Sequence, residues 1–175
     1  MLKRKPTAIG ALSRGALAGV AGTIAMDLLL YRRYKRDGGT DGLFDWEFSS
    51  GTESYEHAAA PAHVGKRIVE GYLQTELEPQ TARSMNNAVH WATGVAWGLA
   101  HGALIGSVSS PRARYGLATG TLAWTGSYAL LAPAGLYQPI WKYPAAVLAK
   151  DLSAHLVFGL GTGAAFRALS RSHRR

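Results

Sequence analysis

Four long runs of apolar residues, separated by polar segments, dominate the chain. They cover approximately residues 9–31, 85–107, 115–137 and 145–169. Each run is close to the roughly 20 residues that an α-helix needs to cross the hydrocarbon of a bilayer. The run at 115–137 contains no charged residue. This pattern predicts an all-α protein with a single membrane domain (1–175), an integral membrane four-helix bundle.

The segment between the first two runs has a different pattern. Residues 32–60 are polar and punctuated by glycine, which predicts a loop. In residues 61–78 apolar side chains recur every four positions with charged residues between them. This period is typical of an amphipathic helix, and the stretch is too short and too charged to span a bilayer. We therefore expect an additional interfacial helix, lying on the membrane surface or packed on the bundle.

Small residues four positions apart recur in all four runs. Glycine weakens a helix in water, but in lipid it lets two helix backbones approach closely. A glycine-zipper pattern of this kind favours tight helix packing in a membrane over a water-soluble bundle. The predicted helix-packing residues are Gly15, Gly19, Gly94, Gly98, Gly102, Gly106, Gly116, Gly120, Gly159 and Gly163.

The charge distribution agrees with insertion into a membrane. The formal net charge is +8, and the basic residues bracket the apolar runs and largely avoid their interiors. No nucleic-acid recognition motif accompanies this charge, so no nucleic-acid partner is predicted. The first run resembles a signal peptide, but Arg32 and Arg33 directly after it favour a retained helix. Counting the flanking basic residues gives a small preference for both termini inside the cell.

Several ionisable residues lie within the apolar runs, where such groups are unfavourable unless they face the protein interior. Asp27, His90, Asp151 and His155 all fall near the same end of an antiparallel four-helix bundle, whereas His101 falls towards the opposite end. Such a cluster is suited to relaying protons, to binding a divalent cation or to holding a haem. The alternative is that these residues only join the helices by hydrogen bonds.

The residues do not select one cofactor or reaction. Cysteine is absent, which excludes disulfides and thiolate metal sites. No catalytic residue and no cofactor are predicted, and haem or a divalent metal remains an open alternative. A non-enzymatic protein is the simpler interpretation.

Three segments resemble a known family. They are the amphipathic PAHVGKRIVEGYL, the segment NNAVHWATGVAWGLAHGAL, and the late AHLVFGLGTG. They resemble the small bacterial inner-membrane proteins of the YagU-like family, in which one helix carries a His before a glycine ladder and a later helix carries a His shortly before Phe/Tyr-Gly. His90 and His155 match those positions. The resemblance implies a multi-pass inner-membrane protein without an established activity.

Three functions stay open after these arguments. The first is assistance to solute or proton movement or to membrane stress tolerance. The second is a membrane redox or metal- or haem-binding subunit that uses His90 and His155. The third is a structural partner in a larger membrane complex, and a homo-oligomer also remains open. In each case the lipid bilayer is the expected partner.

Overall fold

The computed structural model describes residues 7–49 and 52–172. Within these two ranges the regular secondary structure is helical and no strand occurs, which confirms the all-α prediction. The basic residues Lys3, Arg4, Lys5, Arg174 and Arg175 lie outside the described residues. The α-helices are α1 (Ala8–Arg36), α2 (Leu43–Ser49), α3 (Ala60–Ile68), α4 (Ala82–Ile105), α5 (Tyr115–Leu131) and α6 (Ala145–Ser172).

Helix α1 continues beyond its predicted end at residue 31. A tertiary contact supports the extra turn, because Arg33 donates hydrogen bonds to the carbonyl oxygen of Lys150 (3.0 Å) and to Ser153 Oγ (2.7 Å). Basic residues in the last turn of a helix also interact favourably with its dipole. The helix ends where Gly38 adopts a positive φ of 96°. The segment 32–60, expected to be a loop, therefore contains the end of α1 and all of α2.

The amphipathic helix predicted at 61–78 is shorter than expected. Helix α3 is followed by one π-helical turn at Val69–Leu73, and the chain then leaves the helix at Gln74, whose φ is 50°. Gly65 of α3 lies against α4, where an added Cβ would be 3.0 Å from Val89 Cγ2. The helix therefore packs on the bundle through its small residues, and it leaves Tyr72 85% exposed.

Helix α5 ends at Leu131, six residues before the predicted end of its apolar run. Pro133 lacks an N–H group and disfavours continuation of the helix. Gly135 then takes a positive φ of 70°, and the N–H groups of Leu136 and Tyr137 both donate to the carbonyl oxygen of Leu131 (2.9 and 3.1 Å). Residues 132–137 are therefore a compact turn.

Helices α1, α4, α5 and α6 form an antiparallel bundle in which α1 packs against both α4 and α6, and α5 packs against α6. Glycine carries the contact between α1 and α4. A Cβ added to Gly98 would lie 2.6 Å from Gly19 Cα, and one added to Gly15 would lie 2.9 Å from Gly102 Cα. These distances leave no space for a side chain, so the two backbones touch.

The other two tight interfaces are built in the same way. Between α5 and α6, a Cβ on Gly116 would lie 3.0 Å from Gly163 N. Between α1 and α6, a Cβ on Gly22 would lie 2.6 Å from the carbonyl oxygen of Phe158. Several glycines singled out in the sequence are thus the points of closest backbone approach.

Large side chains fill the space between α4 and α5. His101 Nδ1 is 2.7 Å from Thr119 Oγ1, and the His101 ring packs edge-on against Phe166 of α6 with centroids 5.2 Å apart. The ring of Trp97 lies next to Gly126. This side of the bundle is therefore closed by side-chain packing.

By length and composition, α1 and residues 145–171 of α6 are suited to crossing a membrane, and these are the two such helices among the described residues. Helix α5 is 17 residues long, which is short for a span. Helix α4 has several polar residues in its first half, including Arg83, Asn86 and Asn87. The fold is therefore a helical bundle with two helices that meet the usual criteria for a membrane span.

Candidate functional site

The candidate site lies at the end of the bundle where α1 and α5 end and α4 and α6 begin. There, His90 of α4 faces Asp27 of α1, and His90 Nε2 lies 3.1 Å from Oδ1 and 3.2 Å from Oδ2. Asp27 is only 6% exposed. The antiparallel register that brings Gly19 against Gly94 also brings these two residues to the same level. The glycine contacts therefore set the distance between the acid and the imidazole.

A second acid–imidazole pair lies on α6. His155 Nδ1 is 3.0 Å from the carbonyl oxygen of Asp151 and 3.4 Å from Asp151 Oδ1. A carbonyl oxygen only accepts hydrogen bonds, so His155 Nδ1 carries a hydrogen. Tyr128 of α5 donates its hydroxyl hydrogen to Asp151 Oδ2 at 3.0 Å. Asp151 is thus held from two helices.

The four residues singled out in the sequence therefore form two pairs at one end of the bundle. In each pair the imidazole contacts the carboxylate of its own acid, and His90 lies close enough to His155 to interact with it electrostatically. His101 lies in the interior towards the other end, where its Nδ1 hydrogen bonds with Thr119. The structure thus brings Asp27 to His90 and Asp151 to His155, and it keeps His101 apart.

Glu47 of α2 is a further member of the site that the sequence analysis missed. Helix α2 is held over this end by Asn87 Nδ2, which donates to the carbonyl oxygen of Phe48 (3.1 Å), and by the Trp46 ring, 5.5 Å from that of Tyr31. The segment LFDWEFS carries the one available signal, an acidic residue between two aromatic residues inside an otherwise polar stretch. The name polar mouth is used below for Asp27, Glu47, His90, Asp151 and His155.

The surroundings of Glu47 disfavour its negative charge. Burial raises the pKa of the Glu47 carboxyl above its ordinary value, and the nearby charge of Asp27 raises it further. The positive form of His90 acts in the opposite direction. The indole of Trp91 lies beside Glu47 and acts in the same direction as His90. Additional positive charge near Glu47 would stabilise the carboxylates of both Asp27 and Glu47.

Asp27, Glu47 and His90 together have the geometry of a metal-binding group. Each offers one ligand atom, and the three atoms all lie within 4.8 Å of one another. Ligand atoms around one tetrahedral ion are about 3.3 Å apart when each is about 2.0 Å from the metal. Small side-chain rotations would therefore bring the three atoms onto one cation. His90 Nε2 would then have to lose its hydrogen, because only a lone pair binds a metal.

No protein-family model, curated protein or solved structure matches this chain. The resemblance of the His90 and His155 segments to YagU-like proteins therefore stays a prediction.

Proposed function

We propose that the protein is a multi-pass protein of the bacterial inner membrane that binds a divalent transition-metal cation at its polar mouth. The observation that carries the proposal is the convergence of Asp27, Glu47 and His90, from three separate helices, with ligand atoms within 4.8 Å. In this proposal α1, α4, α5 and α6 all cross the bilayer, and α2 and α3 lie at the membrane surface beside the mouth.

The distribution of apolar side chains supports the membrane part of the proposal. Large apolar side chains are exposed on each long helix, whereas glycine, alanine and threonine fill much of the interior. Such a surface on all sides of a bundle is suited to lipid and unsuited to water. Exposed examples are Leu17 (60%), Leu28 (50%), Leu104 (67%), Leu122 (51%), Leu130 (73%) and Leu160 (41%).

Helices α4 and α5 would cross the bilayer with a local adjustment of its thickness. With 24 residues, α4 is about 36 Å long, and the polar residues of its first turns would reach the headgroup region. Helix α5 is about 26 Å long, and the turn at 132–137 would extend its apolar stretch. Bilayers adapt to a mismatch of a few ångströms by thinning. Trp141, 80% exposed at the mouth end, fits the lipid–water boundary.

The proposed orientation puts both termini in the cytoplasm and the polar mouth on the outer side. Two fusion proteins test it, one with a cytoplasmic reporter after residue 175 and one with the same reporter inserted at Gly71, whose Cα has open space around it. Activity of the C-terminal fusion alone supports the orientation. Recovery of the unfused chain in the aqueous fraction after cell lysis without detergent would overturn the membrane assignment.

The ligand set indicates the class of cation. Imidazole nitrogen suits zinc, iron and related ions, and carboxylate oxygen suits manganese and magnesium, so a mixed set with one imidazole favours Zn²⁺ or Mn²⁺. Three protein ligands leave a coordination position for water or a further group. A cation would also compensate the repulsion between Asp27 and Glu47. Haem fits less well, because His90 and His155 each contact a carboxylate group of their own.

Metal retention by the purified chain tests the proposal. The protein in mild detergent is stripped with EDTA, incubated with Zn²⁺ or Mn²⁺, desalted and analysed for metal by mass spectrometry. We expect one ion per chain. Asp27→Asn and Glu47→Gln should each weaken binding by at least about tenfold, since even losing a partner of a ligand has that effect.

Asp151→Asn is the matched control, because Asp151 is a carboxylate at the same end that lies outside the three-residue group. It should retain the ion. Glu47→Gln keeps the test valid if Asp27→Asn does not fold, because Glu47 lies on the peripheral helix α2. Absence of a retained ion, or equal loss in Asp151→Asn, would contradict the proposal.

A second candidate function, proton movement, is favoured by the hydrogen-bonded series Tyr128–Asp151–His155 beside His90. Acid, imidazole and hydroxyl groups in sequence are suited to passing protons. Proteoliposomes with an internal pH dye should then acidify faster than empty vesicles, and His155→Gln should slow the change. His57→Gln, an exposed histidine, is the control. Flux equal to that of empty vesicles would exclude this function.

A further inference from the structure

The opposite end of the bundle carries a cavity lined by arginine and serine. It lies between the connector that follows α4 and the last turns of α6, and its volume is about 210 Å³. The residues that line it include Arg112, Arg167, Arg171, Ser109, Ser110 and Ser170. Three arginine residues and three serine residues thus line one concave surface.

No carboxylate side chain is available to neutralise these arginines. The eleven Asp and Glu residues all lie between positions 27 and 78 or at position 151, and so belong to the polar mouth and the segments around it. Among the described residues Arg112, Arg167 and Arg171 form no ion pair. The two ends of the bundle therefore differ in charge because of where the acidic residues lie in the sequence. The cavity brings three arginines together at the more positive end.

Helix α1 adds a further unsatisfied group at this end. Arg14 Nε is buried and has no hydrogen-bond partner among the described residues. The antiparallel contact of Gly22 with Thr162 places Arg14 level with Ser170 on α6. Guanidinium groups without carboxylate partners are suited to an anion that accepts several hydrogen bonds at once.

We propose that this cavity binds a phosphate group, supplied by the headgroup of an anionic phospholipid. The planar guanidinium donates two parallel hydrogen bonds to a phosphate, and serine hydroxyl groups donate to the remaining oxygens. Basic pockets between helices at the cytoplasmic side of a membrane are suited to anionic headgroups. The inference rests on the proposed membrane insertion with both termini in the cytoplasm, but it is independent of the cation site, because it uses other residues at the other end.

Native mass spectrometry of the full chain tests the lipid. The protein is incorporated in nanodiscs of phosphatidylcholine with a minor share of phosphatidylglycerol, whose anionic headgroup attracts basic groups, and then released for analysis of bound lipid. We expect retained phosphatidylglycerol in excess of its share in the nanodisc. The variant with both Arg167→Gln and Arg171→Gln should reduce this retention by about 25-fold, since each basic residue near an anionic surface contributes about fivefold.

Arg112→Gln and Arg114→Gln form a matched pair. Both residues are exposed and lie in the same connector, but Arg112 lines the cavity and Arg114 does not. Arg112→Gln should lower retention about fivefold, and Arg114→Gln should leave it within twofold. Equal losses in both variants would mean attraction by net charge and would overturn the proposed site.

A second arm distinguishes a lipid from a soluble phosphate compound. Inorganic phosphate is titrated into the detergent-solubilised protein and followed by ³¹P NMR, which needs no bilayer. Saturable binding that Arg167→Gln weakens supports the phosphate site. If phosphate binds in this way but phosphatidylglycerol is not enriched, the lipid is the wrong source. If neither binds, the site itself is excluded.

Discussion

The interior of the bundle and its polar mouth join helices through different kinds of residue, glycine in the interior and ionisable side chains at the mouth. In the interior, backbones touch at glycine, as where Gly98 meets Gly19. At the mouth, long ionisable side chains from α1, α2 and α4 meet across several ångströms. Contacts between backbones do not depend on pH or bound ions, whereas contacts between ionisable groups do. The interior therefore sets the geometry of the bundle, and the polar mouth can respond to pH and to bound ions.

Gly98→Val should have the largest effect. A Cβ at this position would be 2.6 Å from Gly19 Cα, and neither backbone can move without separating α1 from α4. We expect destabilisation of more than about 5 kcal/mol, above the usual range for an overpacked core, because backbones rather than side chains would have to move. Thermal unfolding in detergent, followed by circular dichroism, measures it. Gly71→Ala is the control, because the added methyl group would meet no atom within 4 Å other than those of its own helical turn. An unchanged melting temperature for Gly98→Val would refute the backbone contact.

Phe166→Ala should have the next largest effect. Phe166 is 1% exposed and packs edge-on against the buried His101 ring. Its removal leaves a void on the side of the bundle that large side chains close, and comparable changes destabilise proteins by about 3–5 kcal/mol. The same unfolding assay applies. Phe166→Leu should recover most of the stability, and Phe44→Ala, at an exposed ring, should have little effect. Equal effects of Phe166→Ala and Phe44→Ala would contradict the packing.

Glu47→Gln should have the smallest effect on stability. Whether it strengthens or weakens the docking of α2 should depend on bound metal. Because the pKa of Glu47 is raised above 4.5, docking of α2 is most favourable below that pH and weakens as the pH rises through the raised pKa. Without a cation, the variant should protect residues 43–49 from hydrogen exchange at pH 7 better than the parent chain. With saturating Zn²⁺ the order should reverse, because the variant lacks a ligand.

Asp45→Asn serves as the control for this experiment, since Asp45 is an exposed acid of the same helix. It should leave the pH dependence of exchange unchanged. The order of protection of Glu47→Gln and the parent chain could instead be the same at every pH, with and without Zn²⁺. That result would show that Glu47 is not part of the polar mouth.

Much of the helical framework could be predicted because helices are a local, periodic structure. The apolar runs and the spacing of Gly94, Gly98 and Gly102 depend only on neighbours within a few turns. The same regularity places Asp27 and His90 at one end once antiparallel packing is assumed. Helix ends were predicted less well, because the end of α1 depends on Arg33 contacting Ser153, 120 positions away.

The sequence by itself determined that this chain is helical, that glycine lines its helix faces, and that Asp27, His90, Asp151 and His155 lie near one end of an antiparallel bundle. Only the tertiary structure decided that Glu47 joins Asp27 and His90, and that Arg112 meets Arg167 and Arg171 around a cavity. The physical reason is the range of the interactions. Periodicity records contacts within one helix, whereas a site made by a connector and a distant helix depends on how whole segments pack together.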